Sequence, residues 1–213
     1  MSDTSSLPLF LISVLVISLS GVTMPGPVTA VTITHGAQRK TAGVLVALGH
    51  GIIEVPLMVV AYFGFARIFE ENEAVKIGVG LAGGAVLIWM ALQVLRTRPV
   101  AFDAKSKYPA QGAIAAGLAT TATNPYFYVW WAAVGAKLMV DATAYGTVGV
   151  VAMGATHWVC DAAWLFLLSW VVFKSKRLWT PKVHRAVFGV CALMLAGFGV
   201  YFIASSLYLL ISG

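Results

Sequence analysis

Long apolar stretches separated by short polar joints fill this chain. A bilayer crossing needs about 20 mostly apolar residues. Six stretches meet that length: 7–34, 42–66, 74–95, 111–136, 144–173 and 186–211. The first, fourth and fifth are longer than one straight span requires, which leaves room for tilt or a break. Two of them carry breakers inside. The first contains "GVTMPGPVTA" and the fourth "TTATNPYFYVWW". A proline within a helix removes a backbone donor, and its ring collides with the carbonyl four residues back. Both stretches are therefore predicted to be helices broken in mid-membrane.

The two breaks correspond. Thr23 and Pro25 stand one hundred positions before Thr123 and Pro125. The second stretch has His50 and Glu54 in "GHGIIE", and the fifth has His157 and Asp161 in "THWVCD". The third bears Gly78, Gly80, Gly83 and Gly84, the sixth Gly189, Gly197 and Gly199. This pattern predicts an all-α polytopic membrane protein of six transmembrane helices in two three-helix repeats. The repeats are 1–98 and 111–213, joined by a basic cytoplasmic linker, 99–110. Three spans reverse direction on duplication, so the repeats are expected to be inverted. Discontinuous helices at matching places in such repeats point to a transport site near the midplane.

Composition removes the soluble alternative. The chain has 213 residues, 60% hydrophobic and 10% charged, whereas soluble domains average roughly 45–50% apolar and about 25% charged. No Lys or Arg precedes the first apolar run, so a signal peptide's basic n-region is missing and that run is expected to stay as a span. Cys160 and Cys191 lie within apolar stretches and read as small buried residues, not as a disulfide or metal pair.

The net charge of +6 matters through its placement. Eleven basic residues fall in the first, third and fifth joints: Arg39, Lys40, Arg96, Arg98, Lys105, Lys107, Lys174, Lys176, Arg177, Lys182 and Arg185. The other side holds Arg67, Lys76 and Lys137. Positive charge is retained in the cytoplasm, which predicts a multi-pass protein with both termini outside. Charges strung over three short joints do not make a nucleic-acid surface. Glu70, Glu71 and Glu73 read as a solvated outer loop starting the next helix, whose N-terminus favours acids.

Glu54 and Asp161 are the acids that fall well inside the spans. A central acid costs about 2.5–3.5 kcal/mol on insertion scales and faces the bundle interior or a water path. Each follows a histidine by four residues, which puts the pair on one helix face. His50, Glu54, His157 and Asp161 are thus candidates for proton or cation coupling. The same four residues could hold a divalent metal if the pairs converge, which keeps a divalent cation exporter as the alternative function; no resident metal or other cofactor is expected. Tyr126–Trp131 could form an aromatic cage for an ammonium or an interfacial belt. Pro56 is expected to bend the second helix near Glu54. Gly43, Ala47 and Gly51, like Gly80 and Gly84, form small-residue faces for close packing.

The stretches "MPGPVTAVTITHGAQRKTAG" and "ALGHGIIE", with "TNPYFYVWWAAVG" and "GATHWVCDAAW" in the second half, resemble the lysine exporter (LysE-type) translocator family over nearly the whole chain. That resemblance implies a secondary exporter of amino acids and related small metabolites across the plasma or inner membrane, driven by an ion gradient. Pro25, Gly26 and Pro27 match the family's first-half motif, Asn124 and Pro125 its second. With Thr23 and Thr123 they are the candidate substrate-binding residues. The two His–acid pairs resemble one branch of the family rather than all of it. No G-x-x-x-x-G-K-[ST] phosphate loop is present, and neither G-x-S-x-G nor H-E-x-x-H occurs, so an enzyme is not expected. The partners expected are a small-molecule substrate, an amino acid first, and membrane lipid, without nucleic acid; a homo-oligomer stays open.

Overall fold

The structure, a computed structural model, describes residues 6–65, 72–96, 110–175 and 180–212. Backbone groups in hydrocarbon must be satisfied within the chain, and the described elements are helices joined by short turns. They are α1 (Leu7–Val22), α2 (Pro27–Gly36), α3 (Ala42–Val60), α4 (Glu73–Arg96), α5 (Ala110–Ala122), α6 (Pro125–Trp130), α7 (Ala136–Thr143), α8 (Gly146–Lys174) and α9 (Pro181–Ser212). A π-helical turn, Ala61–Phe65, continues α3, and another, Trp131–Gly135, joins α6 to α7.

Among the described residues, four helical runs are long and apolar enough to cross a membrane: 42–64, α4, α8 and α9. The α1–α2 pair makes a fifth crossing if counted as one span, with a bend of 79° at its break. The side chains are distributed for lipid. Phe63, Val148 and Leu193 are 80%, 70% and 73% exposed, while Ser18, Thr32, Thr121 and Ser169 are fully buried. This is a multi-pass membrane protein, with apolar groups outward and these four hydroxyls inward.

The first stretch splits between Val22 and Pro27 and the fourth after Ala122, both at the expected prolines; the fourth then continues through α7 to Thr143, beyond its expected end. The last helix begins at Pro181, several residues early, because proline suits a first helical turn. Pro56 does not end α3, which stays helical to Val60; residue 56 is exposed, on the outward side of the helix. The turn comes later, at Gly64, whose φ of 128° is open to glycine and costly for other residues. Glu70, Glu71, Arg67, Arg98, Lys105, Lys107, Lys176 and Arg177 lie outside the described residues.

Glycine sets the spacing around α3. A Cβ on Gly43 would run into the Leu165 carbonyl of α8, one on Gly49 into the Ile114 carbonyl of α5, and one on Gly117 of α5 into the Val46 carbonyl. So α3 lies between α5 and α8 with backbones nearly touching, as small residues allow in membranes. Helix α4 pairs with α9 the same way: a Cβ on Gly84 would meet the Gly199 carbonyl at 2.6 Å, and one on Gly199 the Gly84 carbonyl at 2.8 Å. Leu87, Met90, Ala91 and Val94 of α4 join Cys191, Ala192 and Leu195 of α9 in an apolar core that also takes Ile33 of α2 and Val172 of α8. Helices α1, α2 and α3 all contact α8, and α3 and α2 contact α5. That close packing carries the polar faces of α3 and α8 to one point.

Candidate functional site

The four-residue spacing on α3 places His50 and Glu54 on its buried face, and the same spacing on α8 places His157 and Asp161. The two faces meet. Glu54 Oε1 lies 3.1 Å from His50 Nε2 and 3.1 Å from His157 Nε2. Asp161 Oδ2 is 3.4 Å from His157 Nε2 and 3.9 Å from His50 Nε2. Glu54 is 1% exposed and Asp161 6%, so two acids and two imidazoles share one buried pocket. Charge there is tolerable only when paired and hydrogen-bonded.

Three further side chains complete the cluster; of these, Trp131 belongs to the aromatic stretch singled out in the sequence, while no motif marked Thr121 or Ser18. Thr121 Oγ1 of α5 is 2.8 Å from His50 Nδ1. Ser18 Oγ of α1 is 2.8 Å from His157 Nδ1. Trp131 Nε1 donates to Glu54 Oε1 at 3.2 Å. A hydroxyl inside an apolar helix is the only sequence signal Ser18 and Thr121 give. Each histidine of one half is thus held by a hydroxyl from the other half. Glu54 Oε2 and Asp161 Oδ2 are buried and have no hydrogen-bond partner among the described residues.

Aromatic residues wall the cluster. Trp130 stacks on His157 with centroids 4.8 Å apart, and Trp131 meets the same ring edge-on at 5.3 Å. Phe127 meets His50 edge-on at 5.2 Å. These rings therefore clasp the imidazoles rather than forming an open box. Tyr128 turns away, its hydroxyl donating to the Ala122 carbonyl at 3.0 Å.

Both helix breaks reach the same cavity. Its volume is about 70 Å³, and its lining includes Pro25, Gly26, Thr29, Asn124, Tyr126, Trp130, His50, Glu54, His157 and Asp161. That is room for about five water molecules, which suits a small solute or a partly hydrated cation. Helix α2 begins at this cavity, and its first main-chain bond is Ala30 N–H to the Gly26 carbonyl at 2.9 Å. The N–H groups of the preceding turn have no helical acceptor there, and a helix start carries partial positive charge. At the second break Asn124 caps α6, its Oδ1 accepting from Tyr126 N–H at 3.1 Å.

Of the residues expected at the breaks, Pro25, Gly26 and Asn124 line the cavity. Thr23 and Thr123 do not join them. Each is exposed and bonds a carbonyl four residues back, Leu19 at 2.7 Å and Ala119 at 2.8 Å. They match each other as helix-end residues. Pro27 and Pro125 open α2 and α6 at the first helical position.

A broken-helix pair with a polar cluster between its halves is a transporter-like arrangement, and the sequence agrees with it. Residues 19–206 match the family model described as LysE type translocator. The chain belongs to the LysE-type translocator family. The match to this LysE-type translocator model starts inside α1, crosses both breaks and ends inside α9. The chain is also 28% identical, over 183 residues, to the chemotactic transduction protein ChpE of Pseudomonas aeruginosa, with 81% of this chain and 87% of that protein covered. No solved structure matches the chain.

Proposed function

We propose that this LysE-type translocator is a secondary active exporter of amino acids or related small metabolites, coupled to protons. One observation carries the reading: two helix breaks and two His–acid pairs, from opposite halves of the chain, open on one buried cavity. In this reading six spans form two inverted three-helix repeats, 1–98 and 111–213, with 99–110 as a cytoplasmic linker. Support comes from the crossed packing, α3 against α5 and α1 against α8, in which the second span of each half lies on the first span of the other. The protein sits in the plasma membrane with both termini outside, as its basic joints suggest, and acts as a transporter rather than an enzyme.

The cargo's ammonium or a proton meets Glu54 and Asp161, which line the cavity. Pro25, Gly26 and Asn124 contribute main-chain groups at the breaks. The competing cargo is a divalent cation, favoured by the grouping of His50, Glu54 and Asp161 donor atoms within 4.8 Å of one another.

Export decides between them. Purified protein in vesicles preloaded with mixed amino acids is given an inward proton gradient, and the external pool is read. The expected outcome is selective loss of one class of amino acid, abolished by a protonophore and by Glu54→Gln. Unchanged retention of every amino acid, with correctly inserted protein, would remove the amino-acid reading.

A further inference from the structure

We propose that His50, Glu54 and Asp161 form a binding site for a divalent transition cation of the Zn²⁺ or Mn²⁺ kind, with His157 as a further donor. The proposal deepens the divalent-cation reading of this site by naming the ions it takes, and it rests on the exporter reading for the cation's access to the cavity.

The hydrogen inventory is the first reason. Thr121 Oγ1 lies 2.7 Å from the Gly117 carbonyl, and a carbonyl can only accept. The single hydroxyl hydrogen is therefore committed to Gly117. His50 Nδ1, at 2.8 Å from the same oxygen, must then carry a hydrogen and donate it. In the neutral ring this leaves Nε2 as a bare lone pair, 3.1 Å from Glu54 Oε1 and 3.9 Å from Asp161 Oδ2. Lone pairs facing lone pairs repel unless a proton or a metal cation lies between them. Metal-binding histidines are held the same way, with the second ring nitrogen donating to an oxygen that fixes the tautomer.

Spacing is the second reason. Zn–N and Zn–O bonds of about 2.0–2.2 Å imply donor–donor edges of roughly 3.3–3.6 Å in a tetrahedral site. The four imidazole–carboxylate separations are 3.1, 3.1, 3.4 and 3.9 Å. The donor atoms of His50, Glu54 and Asp161 lie within 4.8 Å of one another, and His157 Nε2 touches the two carboxylates. All four lie within about 0.3 Å of that range. Mixed imidazole and carboxylate donors select first-row divalent ions over Mg²⁺ or Ca²⁺.

Orphaned oxygens are the third reason. Glu54 Oε2 and Asp161 Oδ2 are buried without hydrogen-bond partners among the described residues, and leaving such groups unmet is costly. A divalent ion with two neutral imidazoles and two carboxylates makes a set of zero net charge, which a buried pocket tolerates.

The test uses full-length protein, purified, stripped with a chelator and titrated with ZnCl₂, MnCl₂ and, as control, MgCl₂ by calorimetry. One saturable Zn²⁺ or Mn²⁺ site per chain is expected, with none for Mg²⁺. Glu54→Gln and Asp161→Asn should abolish it. Thr121→Val should weaken it roughly 10–100-fold, the range for loss of an outer-shell partner, and Thr121→Ser should restore it. The threonine series keeps the test sound if a carboxylate variant fails to fold. Absence of saturable binding, or binding indifferent to Glu54→Gln and Thr121→Val, would mean that protons alone fill the cluster and would overturn the site. Amino-acid efflux from protein that binds no metal would sink the cation site and leave the exporter reading standing. Metal binding without efflux of any amino acid would keep the cation site and sink the amino-acid cargo.

Discussion

His50 and His157 occupy matching places in the two halves, yet their surroundings are not the same. Both present Nε2 to Glu54 Oε1 at 3.1 Å, and both hold a hydroxyl at 2.8 Å on Nδ1. The hydroxyls differ. Thr121 has spent its hydrogen on the Gly117 carbonyl; among the described residues no acceptor other than His157 takes that of Ser18. His157 can therefore take either tautomer: it receives a hydrogen at Nδ1 and gives one from Nε2 to Glu54, or it donates from Nδ1 to Ser18 and bares Nε2 to a cation. His50 cannot do so while neutral. A near-symmetric frame thus fixes one neutral imidazole as a lone-pair donor and leaves the other either tautomer, and that asymmetry prepares the pocket for a cation.

The largest effect should come from deleting the rings one at a time. His50→Ala is expected to abolish saturable Zn²⁺ binding, while His157→Ala weakens it on the order of tenfold, about 1.4 kcal/mol; calorimetry reads both. Equal losses would erase the comparison. Next come the hydroxyls. Thr121→Val leaves a buried N–H unmet and should cost about 1–3 kcal/mol of stability, read as a lowered unfolding midpoint in detergent. Ser18→Ala lets His157 change tautomer and should cost about 0.5–1.5 kcal/mol.

A smaller effect should separate two glycines at the first break. A Cβ on Gly21 would strike the Trp130 indole, which is stacked on His157, whereas one on Gly26 meets nothing within 4 Å. Gly21→Ala should disturb the His157 half alone, visible as a change in Trp fluorescence and a loss of export on the order of tenfold, about 1.4 kcal/mol in the barrier. Gly26→Ala should leave the fluorescence unchanged. The smallest effect is reserved for Gly189, on the face of α9 where an added Cβ meets nothing within 4 Å. Gly189→Ala should leave export and Zn²⁺ binding intact and raise stability by up to about 1 kcal/mol from helix propensity, measured as the same midpoint.

The membrane class, the first break and the His–acid faces were legible in the sequence because each rests on local chemistry. An apolar run of sufficient length must be helical in lipid, a Pro-Gly-Pro must interrupt it, and a spacing of four must align side chains. The meeting of His50 with His157 was not legible, because it depends on how closely α3 and α8 approach, and that is set by the contact of Gly43 with the Leu165 backbone. Thr121 and Ser18 were missed for a related reason. Serine and threonine commonly return their hydroxyls to their own helix, as Thr23 and Thr123 do. Only tertiary contact shows which of them also serve a neighbour. Pro56 lies exposed on a helix held on both sides by α5 and α8, and α3 stays helical beyond it to Val60.

The crossed hydroxyls have a genetic consequence. If the chain is cut between Arg96 and Ala110, the first fragment keeps His50 and Glu54 but loses Thr121, and the second keeps His157 and Asp161 but loses Ser18. Neither fragment owns a finished pocket. Co-expressed fragments should therefore complement each other, and a Thr121→Val lesion in the second should be felt at a histidine encoded in the first. Paired alleles on separate fragments would display, as a phenotype, a site that is shared rather than duplicated.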